Sequence, residues 1–463
     1  MAVADTIAAQ PAVPSFDGFF PLPLTTFETL MLTDARPDFP MLVDFEVHFQ
    51  GRIDRAAFDK ALTFALGRNP LFTCNALHED RQPWRWVPSG QLPQVDWAAT
   101  GTPIAGGFGE PIDLTQEIGL KIWVRHTAEH SLVLLQFHHA CSDGVGTYAF
   151  IEDLMVGYNA ALPGAAPVEP RPLEPERLKH RGLIHVTGRS LSRQIVDSIW
   201  GAVEGFRFYA ERPLPMPPKV ERAAASGQAT FLTQSCGREV VEGLRLAANE
   251  AGANRNDVLI RDLMLTLRRW HGAGGRPPRG RRLRILMPQD LRTREYARLP
   301  ACNALSFAFI TRKASQCDAP KQLLASIAAE TAKIRRWMLS MYFLGGLHSV
   351  QSWGILPWIL RSRVCFATAV LSNLGDPARY FKAAFPRREG GLVVGNLIFK
   401  GVAAAPPVRP LTRASMCVVF GEGTLTVCMR CDPLCYSPAD VQRLLGEYIA
   451  QLQETAAAAS QRT

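Results

Sequence analysis

The chain has 463 residues, 47% of them apolar and 20% charged, a balance that excludes an intrinsically disordered protein. Its length exceeds what one hydrophobic core fills, so two domains are expected. Lys and Arg number 51 against 42 Asp and Glu, a formal excess of +9 that favours anionic partners such as a phosphorylated cofactor, an acidic lipid surface or nucleic acid.

The Ala/Pro-rich opening, MAVADTIAAQPAVPSF, lacks the charged start and apolar run of a secretory signal. Ten cysteines follow no framework spacing, so free thiols and a cytoplasmic location are the expectation. From Leu42 to Phe49, Val43, Phe45, Val47 and Phe49 alternate with Asp44, Glu46 and His48, predicting a strand with one wet face. Gly51 ends it, and Asp54 can cap a helix whose Phe58, Leu62, Ala65 and Leu66 share one stripe. Arg68-Asn69-Pro70-Leu71 stops that helix before an extended segment reaching about Leu77.

Ile122 to Val124 and Leu132 to Phe137 read as strands, the second apolar almost throughout, as in a strand buried on both faces. It runs into His138-His139-Ala140-Cys141-Ser142-Asp143-Gly144, and Val145 to Leu162 then reads as a helix. From Pro163 to about Ala225 the chain turns Pro-rich around a helix-like stretch, Ser190 to Phe208. The expected domains are therefore 18–162 and 227–458, joined by a linker, 163–226. In the second half, Asn256-Asp257 precedes a helix over Val258 to Trp270, and Leu283 to Met287 is a strand. Leu339 to Leu360 is apolar but broken by Gly345, Gly346, His348, Gln351 and Pro357, too interrupted to span a bilayer. Packed core helices are expected there; the alternative is a hairpin dipping into a lipid surface through Phe343, Trp353 and Trp358. Leu425, Val427 and Met429 alternate with polar residues, and Ser437-Pro438-Ala439-Asp440 is a strong helix start.

The pair His138-His139 lies at the end of a buried strand and before a helix, at a layer edge where clefts form. An ordinary histidine pKa near 6.5 suits proton transfer at neutral pH. Neighbours on a strand end point in opposite directions, so one of the two can face a given cleft while the other is packed behind it. Asp143 could hold an arginine and fix the turn, and Gly144 would allow a backbone geometry that a Cβ forbids. Histidines with an Asp can also be metal ligands, but adjacent histidines splay apart and no third ligand is near in sequence; a purely structural pair is the remaining reading.

HHACSDG resembles the HHxxxDG signature of the CoA-dependent acyltransferase superfamily, which includes peptide-synthetase condensation domains, plant-type alcohol acyltransferases and bacterial wax ester synthase/diacylglycerol acyltransferases. Other pieces recur in order: FEVHFQGRIDRAAFDKALTFALGRNPLF, ANRNDVLIRDLMLTLRRW, MPQDLRT followed by Asn303, and LSNLGDP. The likeness runs over residues 18–455. It implies two chloramphenicol-acetyltransferase-like α/β domains in a V, with an active-site tunnel between them. It further implies that His139 is the catalytic base and His138 a supporting residue. Asp143 and Gly144 would be structural, with Arg292 or Arg68 as the partner of Asp143, while Ser372 and Asn373 would hold the oxyanion or position the donor. No cofactor would be resident: an acyl-CoA or acyl-carrier thioester would be co-substrate, with a hydroxyl or amine as acceptor, a lipid or long-chain alcohol being favoured.

The chain departs from the pattern at Arg68-Asn69-Pro70-Leu71-Phe72, where condensation domains carry a second arginine. No synthetase module flanks HHACSDG, so a free-standing enzyme is expected. The rivals are a free-standing condensation enzyme using an acyl or peptidyl carrier protein, and a catalytically silent protein that binds a lipid or partner. Cys428, Cys431 and Cys435 read as structural rather than zinc-binding, because strand residues three apart face opposite sides. The basic loop Arg276 to Arg284 lacks interleaved aromatics and reads as solvated, so no nucleic-acid partner is expected. Lys179, His180, Arg181, Arg189 and Arg193 make the linker basic as well, with anionic lipid as a further candidate and a peripheral membrane contact as its consequence.

Overall fold

The computed structural model describes residues 16–80, 82–104, 106–184, 205–219, 231–272 and 280–462, together with 199, 201 and 203. Two mixed α/β lobes each surround a sheet, and each has its own apolar core. The first sheet has seven strands in the order Arg387–Arg388, Gly391–Val394, Leu397–Ala405, Leu42–Gln50, His130–His138, Leu120–His126 and Val95–Ala99. The second has six, in the order Leu305–Lys313, Arg282–Asp290, Ala369–Gly375, Ala414–Gly421, Thr424–Cys431 and Leu232–Cys236.

Three strands of the first sheet come from late in the chain. Leu397–Ala405 pairs antiparallel with Leu42–Gln50, from Ile398 opposite Gln50 to Ala405 opposite Asp44. The range expected for the second domain, 227–458, thus contains a segment that belongs to the first lobe's sheet. Sequence periodicity cannot show this, because it reports which face of a strand is buried and not which neighbour it pairs with.

The crossing changes the reading of the first strand. Asp44, expected on a wet face, is fully buried and meets Arg430 from the second lobe's strand Thr424–Cys431. Arg430 donates to its carboxylate and, at 3.1 Å, to Leu42 O, while Gln136 Nε2 donates to Asp44 Oδ1 at 2.7 Å. A second pair joins the lobes where Arg409 donates to both oxygens of Asp34, at 2.7 and 3.0 Å.

The predicted helix starts hold. Asp54 accepts from Ala57 N at 2.8 Å and opens the helix Arg55–Arg68. Ser437 and Asp440 form a reciprocal capping box at the head of Pro438–Ser460. The apolar stretch becomes two helices, Met341–Ser352 and Leu356–Arg361. No helix among the described residues is long and apolar enough to cross a membrane.

Two basic clusters need correction. Arg284 is buried within a strand, where it donates to Thr311 Oγ1 and to the carbonyls of Phe366, Phe208 and Glu211. Arg181 is likewise buried, donating to Glu28 at 2.8 and 2.6 Å. Neither is a surface cation. Arg189 and Arg193, most of the helix expected over Ser190 to Phe208, and Arg276 lie outside the described residues.

Removing one member of a buried ion pair leaves the other charged and desolvated. Asp44→Ala should lower the unfolding free energy by about 3–5 kcal/mol, read by urea denaturation. An unchanged midpoint would mean that this contact does not hold the lobes.

Candidate active site

The motif is built at the end of the strand His130–His138. His138 lies opposite Leu42 in the sheet, and His139 N donates to Met41 O at 2.7 Å as the strand ends. The two histidines then diverge. His138 is buried, its Nδ1 accepting from Ala140 N at 3.1 Å; burial, with a smaller contribution from His139, pushes its pKa down to about 3. His139 is half-buried and lines a cavity between the lobes.

Nδ1 of His139 lies 3.1 Å from Ser142 O. A carbonyl oxygen only accepts, so Nδ1 carries the hydrogen and Nε2 keeps its lone pair. Burial lowers the His139 pKa below the ordinary histidine value, opposed by backbone hydrogen bonding and by the Asp143 carboxylate. The ring is therefore neutral at pH 7, with Nε2 as its basic nitrogen.

Asp143 faces away from this chemistry. It caps the helix Gly144–Ala161 through Gly146 N at 2.7 Å. Arg292 donates to its two oxygens at 2.9 and 3.0 Å, and Ala304 N donates to Oδ2 at 2.8 Å. Burial works against the Arg292 charge, but Asp143 and Asp290 more than offset it, so its pKa is raised. Of the two arginines considered for this pairing, Arg68 goes elsewhere, donating to Asp153 Oδ1 at 2.9 Å and to Arg171 O at 2.6 Å.

Segment 299–304 is the seam between motif and second lobe. Ala301 N donates to Asn69 Oδ1 at 2.7 Å, tying the first turn to this segment. Cys302 O accepts from Arg292 at 2.9 Å and from Asp143 N at 3.3 Å. Asn303 Nδ2 donates to both His139 O and Ala140 O at 2.8 Å. A Cβ on Gly146 would sit 2.7 Å from Cys302 O and 2.9 Å from Cys302 N, so glycine is required there. Gly144 is not in a left-handed conformation, contrary to the backbone argument made for it. It is small because Leu374 of the second lobe packs onto it.

Ser372 and Asn373 do not line the His139 cavity; from their strand, Val370 does. Asn373 is engaged with Asn256 Oδ1 at 3.3 Å and Gly375 N at 3.0 Å, and Ser372 is hydrogen-bonded to Cys417. Asn373 thus braces the turn after the strand and Ser372 the neighbouring strand, while Leu374 packs on Gly144.

The cavity measures about 1110 Å³ and its wall is largely apolar. An aromatic series leads away from His139: Phe27 at 5.8 Å between centroids, then Phe307, Phe343, Phe309 and Phe208, with steps of 5.1, 5.4, 5.6 and 4.9 Å. None of these rings was singled out from the sequence except Phe343. The alternation of Phe307, Phe309 and Thr311, all of which line the cavity, was the available signal. A second groove of about 980 Å³, bounded by Glu46, Thr233, Arg387 and Thr426, does not include His139. All ten cysteines are free and buried, and no cluster of His, Cys, Asp and Glu suited to a metal occurs among the described residues.

These features define a two-lobed, chloramphenicol-acetyltransferase-like α/β protein with a histidine at the interlobe cavity. No known family profile matches the chain. One component of the linear gramicidin synthase of Brevibacillus parabrevis is 24% identical over 257 residues, which is 51% of this chain and 3% of that much longer protein. Among solved structures, the first condensation domain of the calcium-dependent antibiotic synthetase superposes with TM-score 0.68 at 15% identity, covering 94% of this chain and 97% of its own. The starter condensation domain of rhizomide synthetase, solved with C8-CoA, gives 0.64 at 15% identity and 94% coverage of both. Polyketide synthase associated protein 5 from Mycobacterium tuberculosis gives 0.59 at 16%, covering 96% and 99%. The chain has the condensation-domain fold over nearly its whole length.

Arg292→Ala leaves Asp143 buried and unpaired, so it should cost about 3–5 kcal/mol of stability by urea denaturation. Arg292→Lys keeps the charge and loses the parallel pair of bonds, so it should fall between. A neutral Arg292→Ala would remove Asp143–Arg292 as the lock on the turn.

Proposed function

We propose that the protein is an acyltransferase that moves an acyl group from a CoA or carrier-protein thioester to a hydroxyl or amine, with His139 as general base. The observation that carries this reading is the state of His139: neutral, tethered through Nδ1, and lining a large apolar cavity. Nε2 takes the proton as the acceptor oxygen or nitrogen attacks the thioester carbonyl. When the C–S bond breaks, the proton passes to sulfur and a free thiol leaves. Aligning both substrates between the lobes supplies much of the acceleration.

The polar atoms of Ser372 and Asn373 are already committed, so their contribution is to position the second lobe's strand rather than to bind an oxyanion directly. The volume and apolar wall of the cavity favour a long-chain acyl group or a lipid-like alcohol over a small polar substrate. The bound C8-CoA in the rhizomide starter domain makes CoA the first donor to test, and the peptide-synthetase relatives make a carrier-bound acyl group the second.

Thiol release from acyl-CoAs of graded length, with a pool of alcohols and amines, tests the proposal. Acceptor-dependent release is expected in the wild type, falling about 10²–10⁴-fold in His139→Ala while the fold is kept by circular dichroism. Release only from carrier-bound donors would identify the carrier-dependent enzyme. Equal turnover in both proteins would remove His139 as base, and tight ligand binding without turnover from any donor would make the protein a binder.

The acidic limb of kcat/KM should lie below pH 6.5, since the folded His139 pKa is lowered and the base stays free to more acidic pH than an ordinary histidine. A limb at or above that pH would contradict the assignment.

A further inference from the structure

The 22 residues from Leu339 to Leu360 contain no Asp, Glu, Lys or Arg. Between Glu330 and Asp376 the only ionised side chains are five cations: Lys333, Arg335 and Arg336 before this stretch, Arg361 and Arg363 after it. All five are exposed, and none is paired with a carboxylate among the described residues.

The stretch folds as a helical hairpin with two different faces. Phe343, Leu347, Val350, Leu356, Ile359 and Leu360 turn inward and line the cavity. Trp353 and Trp358 turn outward and are 71% and 74% exposed, with Ile355 exposed between them. Helical segment 205–210 adds Phe206, 76% exposed, and Tyr209. Tyr209, Trp337 and Gly346 are cavity-lining and exposed, so the cavity opens beside the hairpin.

Exposed indole rings on a hairpin flanked in sequence by five exposed cations match one environment: the headgroup level of an anionic lipid leaflet. There the rings meet the acyl boundary and the cations meet lipid phosphates. An acidic protein would satisfy the cations but would leave an uncharged tip of two tryptophans to be covered separately.

We propose that the hairpin Met341–Arg361 docks the protein on an anionic membrane surface, with Trp353, Ile355 and Trp358 seated in the interface and Lys333, Arg335, Arg336, Arg361 and Arg363 against the headgroups. The cavity mouth then faces the leaflet, and an alkyl or acyl chain passes into the aromatic-lined cavity without crossing bulk water. Docking stands on the surface alone; only the use made of the chain rests on the acyltransferase reading.

Vesicle co-sedimentation of the full chain tests it, comparing phosphatidylglycerol/phosphatidylcholine vesicles with phosphatidylcholine alone, at low and high salt. Preferential partition to the anionic vesicles is expected, with weakening by salt. The double variant Trp353→Ala/Trp358→Ala should partition about tenfold less. Arg361→Gln/Arg363→Gln should lose roughly fivefold per charge. These side chains are exposed, and a thermal melt checks that the variants fold. Equal partition to neutral vesicles, or undiminished binding by the tryptophan variant, overturns the proposal. So does a wild-type dimer that ignores vesicles and becomes monomeric in that variant, which would make a second copy the occupant. Since no turnover is measured, a failed acyl transfer leaves the result standing.

Discussion

Asp143 accepts four hydrogen bonds with two oxygens, and together they bind three different parts of the molecule to the turn that holds His139. Gly146 N starts the helix, the Arg292 guanidinium brings in the loop after Arg282–Asp290, and Ala304 N brings in segment 299–304. A carboxylate is required because four donors converge, and a neutral amide could not accept from all of them. Bidentate geometry demands arginine for the same reason. Once these bonds are made, Cys302 and Asn303 are carried against the motif, and Asn303 fixes the carbonyls of His139 and Ala140. The position of the imidazole is thus set from the second lobe as much as from the strand that carries it.

The cavity depends on the same union. Its wall takes Met41 and His139 from one lobe and Phe307, Phe309 and Val370 from the other, so a change in lobe angle changes its width. The crossing of Leu397–Ala405 into the first sheet, and the pairs Asp44–Arg430 and Asp34–Arg409, resist such a change. Buried ion pairs are poor sources of stability, but each is satisfied in one arrangement and costly in any other. That property suits a site shared between two lobes.

Much of this was legible where the signal is local. Asp54 and Ser437 announce helices because a cap acts within three residues, and the apolar run into His138-His139 marks a buried strand ending in polar chemistry. The opposed environments of the two histidines follow from strand geometry alone. What stayed hidden is non-local. Asp44 alternates with Val43 and Phe45 like any solvent-facing residue, yet it is buried and paired with Arg430, nearly 400 positions away. Arg181 and Arg284 count as basic-patch residues by composition, yet each is enclosed by partners distant in sequence. Gly144 and Gly146 look alike in sequence, but one yields to a leucine from the other lobe and the other to backbone. The apolar stretch Leu339 to Leu360 reads as core or as surface because its two faces are different, a distinction averaged away by composition.

The electrostatic balance around His139 bears on how the proposed transfer would run. In a triad, a carboxylate bonded to Nδ1 stabilises the imidazolium that forms. Here Nδ1 meets a neutral carbonyl, Ser142 O, and the Asp143 carboxylate is bonded to Arg292 rather than to the ring. The Asp143 charge favours the protonated ring but does not outweigh burial, which disfavours it. An imidazolium formed at this position is a poor resting place for a proton. It is under pressure to hand that proton on, and the departing thiolate sulfur is the basic atom then available. The weak base that results is a disadvantage in taking a proton from an alcohol and an advantage in releasing it to a thiolate. A site arranged this way depends on alignment of acceptor, carbonyl and sulfur rather than on base strength, which is why so many of its hydrogen bonds serve to fix a turn.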